Sequence, residues 1–97
     1  EVVDIRVLNP LHTEEIIKSV KKTKNLLVVD SGWTSGGFSA EIIAKVTEQL
    51  PVNCLNNPPV RIALPDAPAP SSKVLEMAYY TSTDDLIEAT KKILKKL

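Results

Sequence analysis

The sequence of 97 residues has one cysteine, one histidine, one methionine, one tryptophan and three glycines, and its 12 Lys plus Arg cancel its 12 Asp plus Glu. Each shortage excludes something. The lone Cys54 has no partner for an internal disulfide, which fits a reducing compartment, either cytoplasm or mitochondrial matrix. The lone His12 lies far from Cys54 in sequence, and no third group completes a nucleophile–base set. Cys54 therefore reads as structural, and His12, between a turn and a helix, as structural or surface. Asp4, Asp30, Asp66, Asp84 and Asp85 have no metal-ligand spacing, and no His/Cys/Asp cluster points to zinc. A neutral balance gives no electrostatic reason to expect nucleic acid or an anionic membrane as partner. No apolar run approaches the roughly 18 residues of a membrane helix, and no secretory leader is visible. The chain opens without Met, directly on Glu1-Val2-Val3-Asp4-Ile5, the pattern expected of a piece cut from a longer polypeptide.

What remains is an ordinary globular profile, 43% hydrophobic and 25% charged, long enough for one domain with one core. Residues 2–7 are β-branched and alternate with Asp4 and Arg6, which predicts a first strand ended by Asn9-Pro10. Thr13 is placed to cap a helix whose first turn carries Glu14 and Glu15 and whose apolar stripe is Ile16, Ile17 and Val20. The run Leu26-Leu27-Val28-Val29 predicts a strand covered on both faces. A loop of small residues, 31–37, leads to a second helix with Phe38, Ile42, Ile43, Val46 and Leu50 on one face, stopped by Pro51. Residues 60–64 form a third strand. The segment Pro65-Asp66-Ala67-Pro68-Ala69-Pro70 is predicted to be extended and exposed, because three prolines lack the N–H and restrict φ. Residues 74–80 are predicted as a short helix. Ser82 or Thr83 caps a final helix with Leu86, Ile87, Thr90, Ile93, Leu94 and Leu97 inward and Lys91, Lys92, Lys95 and Lys96 as its solvated, dipole-complementing end. The alternation β-α-β-α-β implies a mainly parallel α/β sheet with right-handed crossovers.

In such sheets ligands lie off the carboxyl ends of the strands, here the loop Asp30-Ser31-Gly32-Trp33-Thr34-Ser35-Gly36-Gly37. A glycine-rich loop before a helix can cradle an anion, but the spacing fits neither the dinucleotide fingerprint nor the P-loop, and no Gly-Lys pair follows. The alternative is that the paired glycines let the helix pack close to the sheet and that Trp33 seals the loop or meets another domain. Trp33, Tyr79, Tyr80, Pro68 and Pro70 are the candidate interface residues, since aromatics are enriched in interface cores, with the core as the alternative place for one of the two tyrosines. The residues alone define a soluble α/β domain without a visible catalytic, cofactor or metal site.

The motifs resemble those of a known family. Val3-Asp4-Ile5-Arg6 with Asn9-Pro10-Leu11, then Leu27-Val28-Val29-Asp30-Ser31-Gly32-Trp33 followed by Gly36-Gly37-Phe38-Ser39-Ala40-Glu41-Ile42, are similar to the C-terminal domain of transketolase-like enzymes. Pro59-Val60-Arg61-Ile62, the Pro-rich segment and Asp84-Asp85-Leu86-Ile87-Glu88-Ala89 complete the resemblance in the right order over nearly the whole chain. Within that superfamily the Pro-rich segment and the ending look most similar to the β subunit of 2-oxo acid dehydrogenase E1 components, pyruvate or branched-chain. The resemblance implies a three-layer αβα domain with a mainly parallel five-stranded sheet, the two further strands falling near Leu55 and residues 74–80. It implies a domain spanning residues 1–97 of a longer thiamine-diphosphate-dependent enzyme, a parent that decarboxylates a 2-oxo acid and reductively acylates a lipoyl group. It places thiamine diphosphate and Mg in other domains, and the α subunit, a second β subunit and the lipoyl acyltransferase as partners. No family catalytic motif falls inside the chain. The matching domain of a transketolase or deoxyxylulose-phosphate synthase, or an independent ligand-binding module using residues 33–37, are the other readings.

One consequence is measurable. A helix N-terminus contributes about 1 kcal/mol to an anion at an exposed site, against the roughly 8 kcal/mol of micromolar binding. Calorimetric titration of this chain with thiamine diphosphate and magnesium should therefore give no saturable heat. A micromolar isotherm abolished by altering Gly36 and Gly37 would make the loop a cofactor site.

Overall fold

Elements form along the chain where periodicity and capping agree, and the computed structural model describes residues 1–95 of it. Helix α1 is Glu14–Thr23, strand β1 Leu27–Trp33, helix α2 Phe38–Thr47, strand β2 Val60–Leu64, helix α3 Lys73–Tyr79 and helix α4 Thr83–Leu94. The two strands pair in parallel, Leu27 opposite Val60, Val28 opposite Arg61 and Val29 opposite Ile62, before the register shifts and Trp33 meets Leu64. A parallel pair needs a long crossover, and α2 with its following loop supplies it. The fold is α/β, as expected.

The core is a cluster of Ile16, Val20, Leu26, Val28, Ile42 and Val46, so α1 and α2 press on β1 together. Ile5, Leu11, Phe38, Ile43, Leu50 and Leu55 pack around it. Burying each such aliphatic side chain is worth about 1.5–3 kcal/mol. Thr13 stands at the N-cap of α1, but its side chain does not cap. It is buried, and its hydroxyl accepts instead from Gln49 Nε2 at 3.1 Å, tying the start of α1 to the end of α2. Lys24 closes α1 in the left-handed region at φ 65, its N–H donating to the Val20 carbonyl at 2.7 Å. Tight turns then run from the end of α2 as far as Leu50, where Pro51 stops the winding.

Several expectations are corrected. Residues 2–7 are not a strand: they pair with nothing, and Val2 is 97% exposed. β-branched composition favours a strand only where a neighbouring edge takes up its backbone groups. The segment is pinned by Ile5 against the core and by Lys22 Nζ, which donates to Glu1 Oε2 at 2.9 Å. Hydrogen bonds from Ser19 and Lys22 hold the Glu1 carboxyl below its usual range. β1 is not covered on both faces, for Val28 is 7% exposed but Val29 52%. The two helices that reach the core lie on the Val28 side. Leu55 sits in an irregular segment, and residues 74–79 are helical, so the described residues form two strands where five were expected. The reading of residues 74–80 as a short helix agrees with α3. In α4 only Ile93 is buried; Leu86 is half-buried, while Ile87, Thr90 and Leu94 face outward. Lys96 and Leu97 lie outside the described residues. Ser82 is the N-cap, in a reciprocal capping box with Asp85, whose carboxyl is held low by the Ser82 backbone and hydroxyl.

The paired glycines serve two different needs. Gly36 turns the chain at φ +69 with open space around it. Gly37 is extended, and a Cβ there would collide with the carbonyl oxygen of Trp33. Gly37→Val should therefore cost about 1–3 kcal/mol by overpacking. Gly36→Asn, which tolerates the left-handed region, should stay within about 0.5 kcal/mol of the parent. Urea melts of the two variants check this, and equal midpoints would refute the close approach at Gly37.

Candidate functional site

The carboxyl ends of β1 and β2 and the start of α2 meet at one corner. Its centre is Asp30, at the point where the strand register shifts. One carboxylate oxygen, Oδ1, accepts from the Gly32 N–H at 3.0 Å and closes the irregular stretch of β1 on itself. The other, Oδ2, accepts from the Ser39 N–H at 2.9 Å in the first turn of α2. Gly37, the N-cap residue, has no side chain to offer. A carboxylate on the preceding strand therefore does the capping and meets the positive end of the helix dipole. This position is where an external anion would bind a glycine-rich loop, and the protein's own carboxylate fills it.

The corner continues outward through polar contacts. Thr34 donates to the Leu64 carbonyl from both its N–H, at 2.9 Å, and its hydroxyl, at 2.8 Å. Arg61 Nη1 donates to the Thr34 carbonyl at 2.8 Å. The Ser35 N–H donates to Asp66 Oδ1 at 3.0 Å and its hydroxyl to Asp66 Oδ2. These two bonds, side chain first, hold the Asp66 carboxyl below its usual range. Ser39 Oγ, by contrast, is fully buried without a partner among the described residues.

The aromatic candidates come together just outside this corner. Trp33 Nε1 donates to the Tyr79 hydroxyl at 3.0 Å, and that hydroxyl donates to the Ala67 carbonyl at 2.7 Å. Tyr80 stands edge-on to Tyr79 with ring centroids 5.0 Å apart. Trp33 is 53% exposed and Tyr80 47%, Tyr79 is half-buried, Pro68 is exposed and Pro70 half-buried. So the structure brings Trp33, Tyr79 and Tyr80 into one cluster and lays the Pro-rich segment against it at Ala67. Sequence reasoning named these aromatics but missed Asp30, Ser35 and Asp66. The signal for Asp30 was an acidic residue directly before Ser31-Gly32 in a strand leading to an uncapped helix.

The remaining sequence candidates lie apart from the corner. His12 is exposed. Cys54 is buried beside a cavity of about 350 Å³ lined by Thr47, Leu50, Asn56, Pro58 and Pro59, with no other ionisable side chain on its wall. No side chain on that wall is a base that could take the thiol's proton. Among the described residues no group of three or more His, Cys, Asp or Glu could hold a metal ion, and no helix is long and apolar enough to cross a membrane.

A parallel strand pair crossed by a helix, with an aromatic cluster facing outward near the carboxyl ends of the strands, defines an α/β module. The chain belongs to the transketolase C-terminal domain family, whose sequence model matches residues 1–86. It is similar to the pyruvate dehydrogenase E1 component subunit beta, mitochondrial, of Saccharomyces cerevisiae and of Mus musculus, each 40% identical over 94 residues, and to that of Homo sapiens, 39% identical over 94 residues. Each match covers 97% of this chain and 26% of the relative, so the chain spans about a quarter of the length of these proteins.

The Ser35–Asp66 clasp carries a pH signature. A carboxyl whose pKa is depressed on folding contributes stability in full above its unfolded pKa, about 3.9 for Asp. That contribution is lost as pH falls through the lower folded pKa. In an acid titration followed by NMR, the Ser35 amide resonance should move with a midpoint below about 3.9. A midpoint at or above that value would mean the clasp is not formed.

Proposed function

We propose that this chain is a non-catalytic assembly domain, residues 1–97 of a longer E1 β subunit of a thiamine-diphosphate-dependent 2-oxo acid dehydrogenase. The observation that carries the reading is identity of 39–40% sustained over 97% of the chain with named pyruvate dehydrogenase E1 β subunits. The geometry supports it in two ways. The helix start at the glycine-rich loop is filled by Asp30, which fits a parent whose diphosphate and Mg are held by other domains. The aromatic corner and the apolar side chains Val29, Val74, Leu75 and Met77 face outward, as surface that another subunit would cover.

In this reading the parent decarboxylates a 2-oxo acid and reductively acylates the lipoyl acyltransferase, and its partners are the α subunit and a second β subunit. Residues 2–7 and the open sheet edges are where the five-stranded sheet of the family would be completed in the intact subunit. The E1 β relatives are mitochondrial proteins, which supports the matrix for this chain; a cytoplasmic location in a bacterial source is the alternative. The matching domain of a transketolase or deoxyxylulose-phosphate synthase would share the family but not the E1 β names.

Trp33, Tyr79, Tyr80, Pro68 and Pro70 form the interface in this proposal. Tyr80→Asp in the parent subunit is the test, because the Tyr80 side chain is exposed and makes no hydrogen bond among the described residues, while its backbone N–H bond to Glu76 survives the substitution. A buried charge at an interface centre should weaken subunit association at least tenfold, about 1.4 kcal/mol, in sedimentation velocity. Circular dichroism of this chain with the same substitution should be unchanged. Association at the parent's strength would remove this corner from the interface.

A further inference from the structure

We propose that residues 65–80 form a latched arm, a segment that releases from the sheet as one unit while α1, β1, α2 and β2 stay folded, with the Tyr79 hydroxyl as its latch. The proposal goes beyond assembly and does not depend on it. Three observations lead to it.

First, the arm contributes nothing to the core. No residue of α3 is buried, and only Glu76 and Tyr79 are even half-buried. Val74, Leu75 and Met77 are largely exposed. The residues on either side are anchored differently: Leu64 before the arm and Ile93 in the following helix are both buried.

Second, among the described residues every hydrogen bond from the arm to the rest of the chain ends on Trp33 or Ser35. Trp33 Nε1 reaches the Tyr79 hydroxyl at 3.0 Å, and the Ser35 N–H and hydroxyl reach the two oxygens of Asp66. These are exposed bonds in competition with water, each weak alone. Third, the arm is internally braced. The Tyr79 hydroxyl also donates to the Ala67 carbonyl at 2.7 Å, folding the Pro-rich segment onto α3, and Ser72 caps that helix at the Leu75 N–H. One hydroxyl thus joins body, Pro-rich segment and helix. A unit with its own bracing, no buried side chain and two polar attachments is drawn from the low-stability end of the structure.

Trp33 is the sole tryptophan, so its emission reads the latch directly. The test is hydrogen exchange read by mass spectrometry, with Trp emission, on the full chain carrying Tyr79→Phe or, separately, Asp66→Ala. Tyr79→Phe keeps the ring and removes both hydroxyl bonds. It should speed exchange over residues 73–80 about tenfold and shift the Trp33 emission, with β1 and α2 amides unchanged. Asp66→Ala, which breaks the other attachment, should speed the same amides and leave the same core protection. Unchanged exchange in Tyr79→Phe would remove the hydroxyl as latch. Equal acceleration of arm and core, or global unfolding of either variant, would show that the arm is part of one cooperative unit, and would overturn the proposal.

Discussion

The carboxylate of Asp30 is the constraint from which the corner of this domain is built. Its two oxygens satisfy one donor in the strand that carries it and one in the helix that follows, so strand end, turn and helix start share a single charged group. Charge-assisted bonds of this kind are shorter and stronger than neutral ones. Two of the glycines lie close to it. A Cβ on Gly32 would lie 3.4 Å from Asp30 Oδ1, and one on Gly37 3.3 Å from Asp30 Oδ2. A Cβ on Gly32 would thus make ordinary contact with the carboxylate, whereas Gly37 is required above all by the Trp33 carbonyl oxygen, with which a Cβ there would collide. Gly36, with open space around it, is the one whose reason is backbone angle alone. Because the register of β1 shifts at this carboxylate, the strand continues to Trp33 and delivers its indole to the aromatic cluster.

How far the sequence reveals this differs by element. Helical periodicity placed α1, α2 and α4 well, since apolar residues three and four apart must share a face. The prolines marked the extended segment before α3, and Ser82 with Asp85 spelled out a capping box. Residues 2–7 have strand composition, yet a strand is a pairing and not a property of one segment. Outward-facing Ile87 and Leu94 in α4 follow the same logic: amphipathic spacing says which residues share a face, not whether anything lies against it. At the corner, the aromatics were legible as a class because they are rare in this chain. The Asp30 cap was not, because it joins residues nine apart through a side chain on a strand, outside the local Ser/Thr/Asp rule for helix starts.

The surface has a physical meaning of its own. The radius of gyration is 14.4 Å, above the about 13 Å of a compact domain of 100 residues, and the molecule measures 44 × 33 × 20 Å. A flattened body with Val29, Trp33, Val74, Leu75, Met77, Ile87 and Leu94 outward has buried less apolar area than its composition allows. Scattered exposed apolar residues are normal on any protein, but a run along α3 and the open face of a two-stranded sheet is a different case. The matched relatives are about four times as long as this chain, and in the proposed E1 β subunit that area is where further domains or a neighbouring subunit would lie.

The division of labour in the proposed parent follows from the same carboxylate. A helix start beneath a glycine-rich loop at the carboxyl end of a parallel sheet is the usual place for a phosphate group. Here the donor that would face a phosphate is Ser39 N–H, already bonded at 2.9 Å to Asp30, and a fixed negative charge lies beside any incoming anion. A diphosphate would have to displace that carboxylate or lie against it, and like charges at short range oppose both. The geometry that suits cofactor binding in other α/β domains has become an internal brace. What the corner presents to solvent is an indole, a phenol and a proline-rich edge, and aromatic groups of this kind are enriched in the cores of protein interfaces.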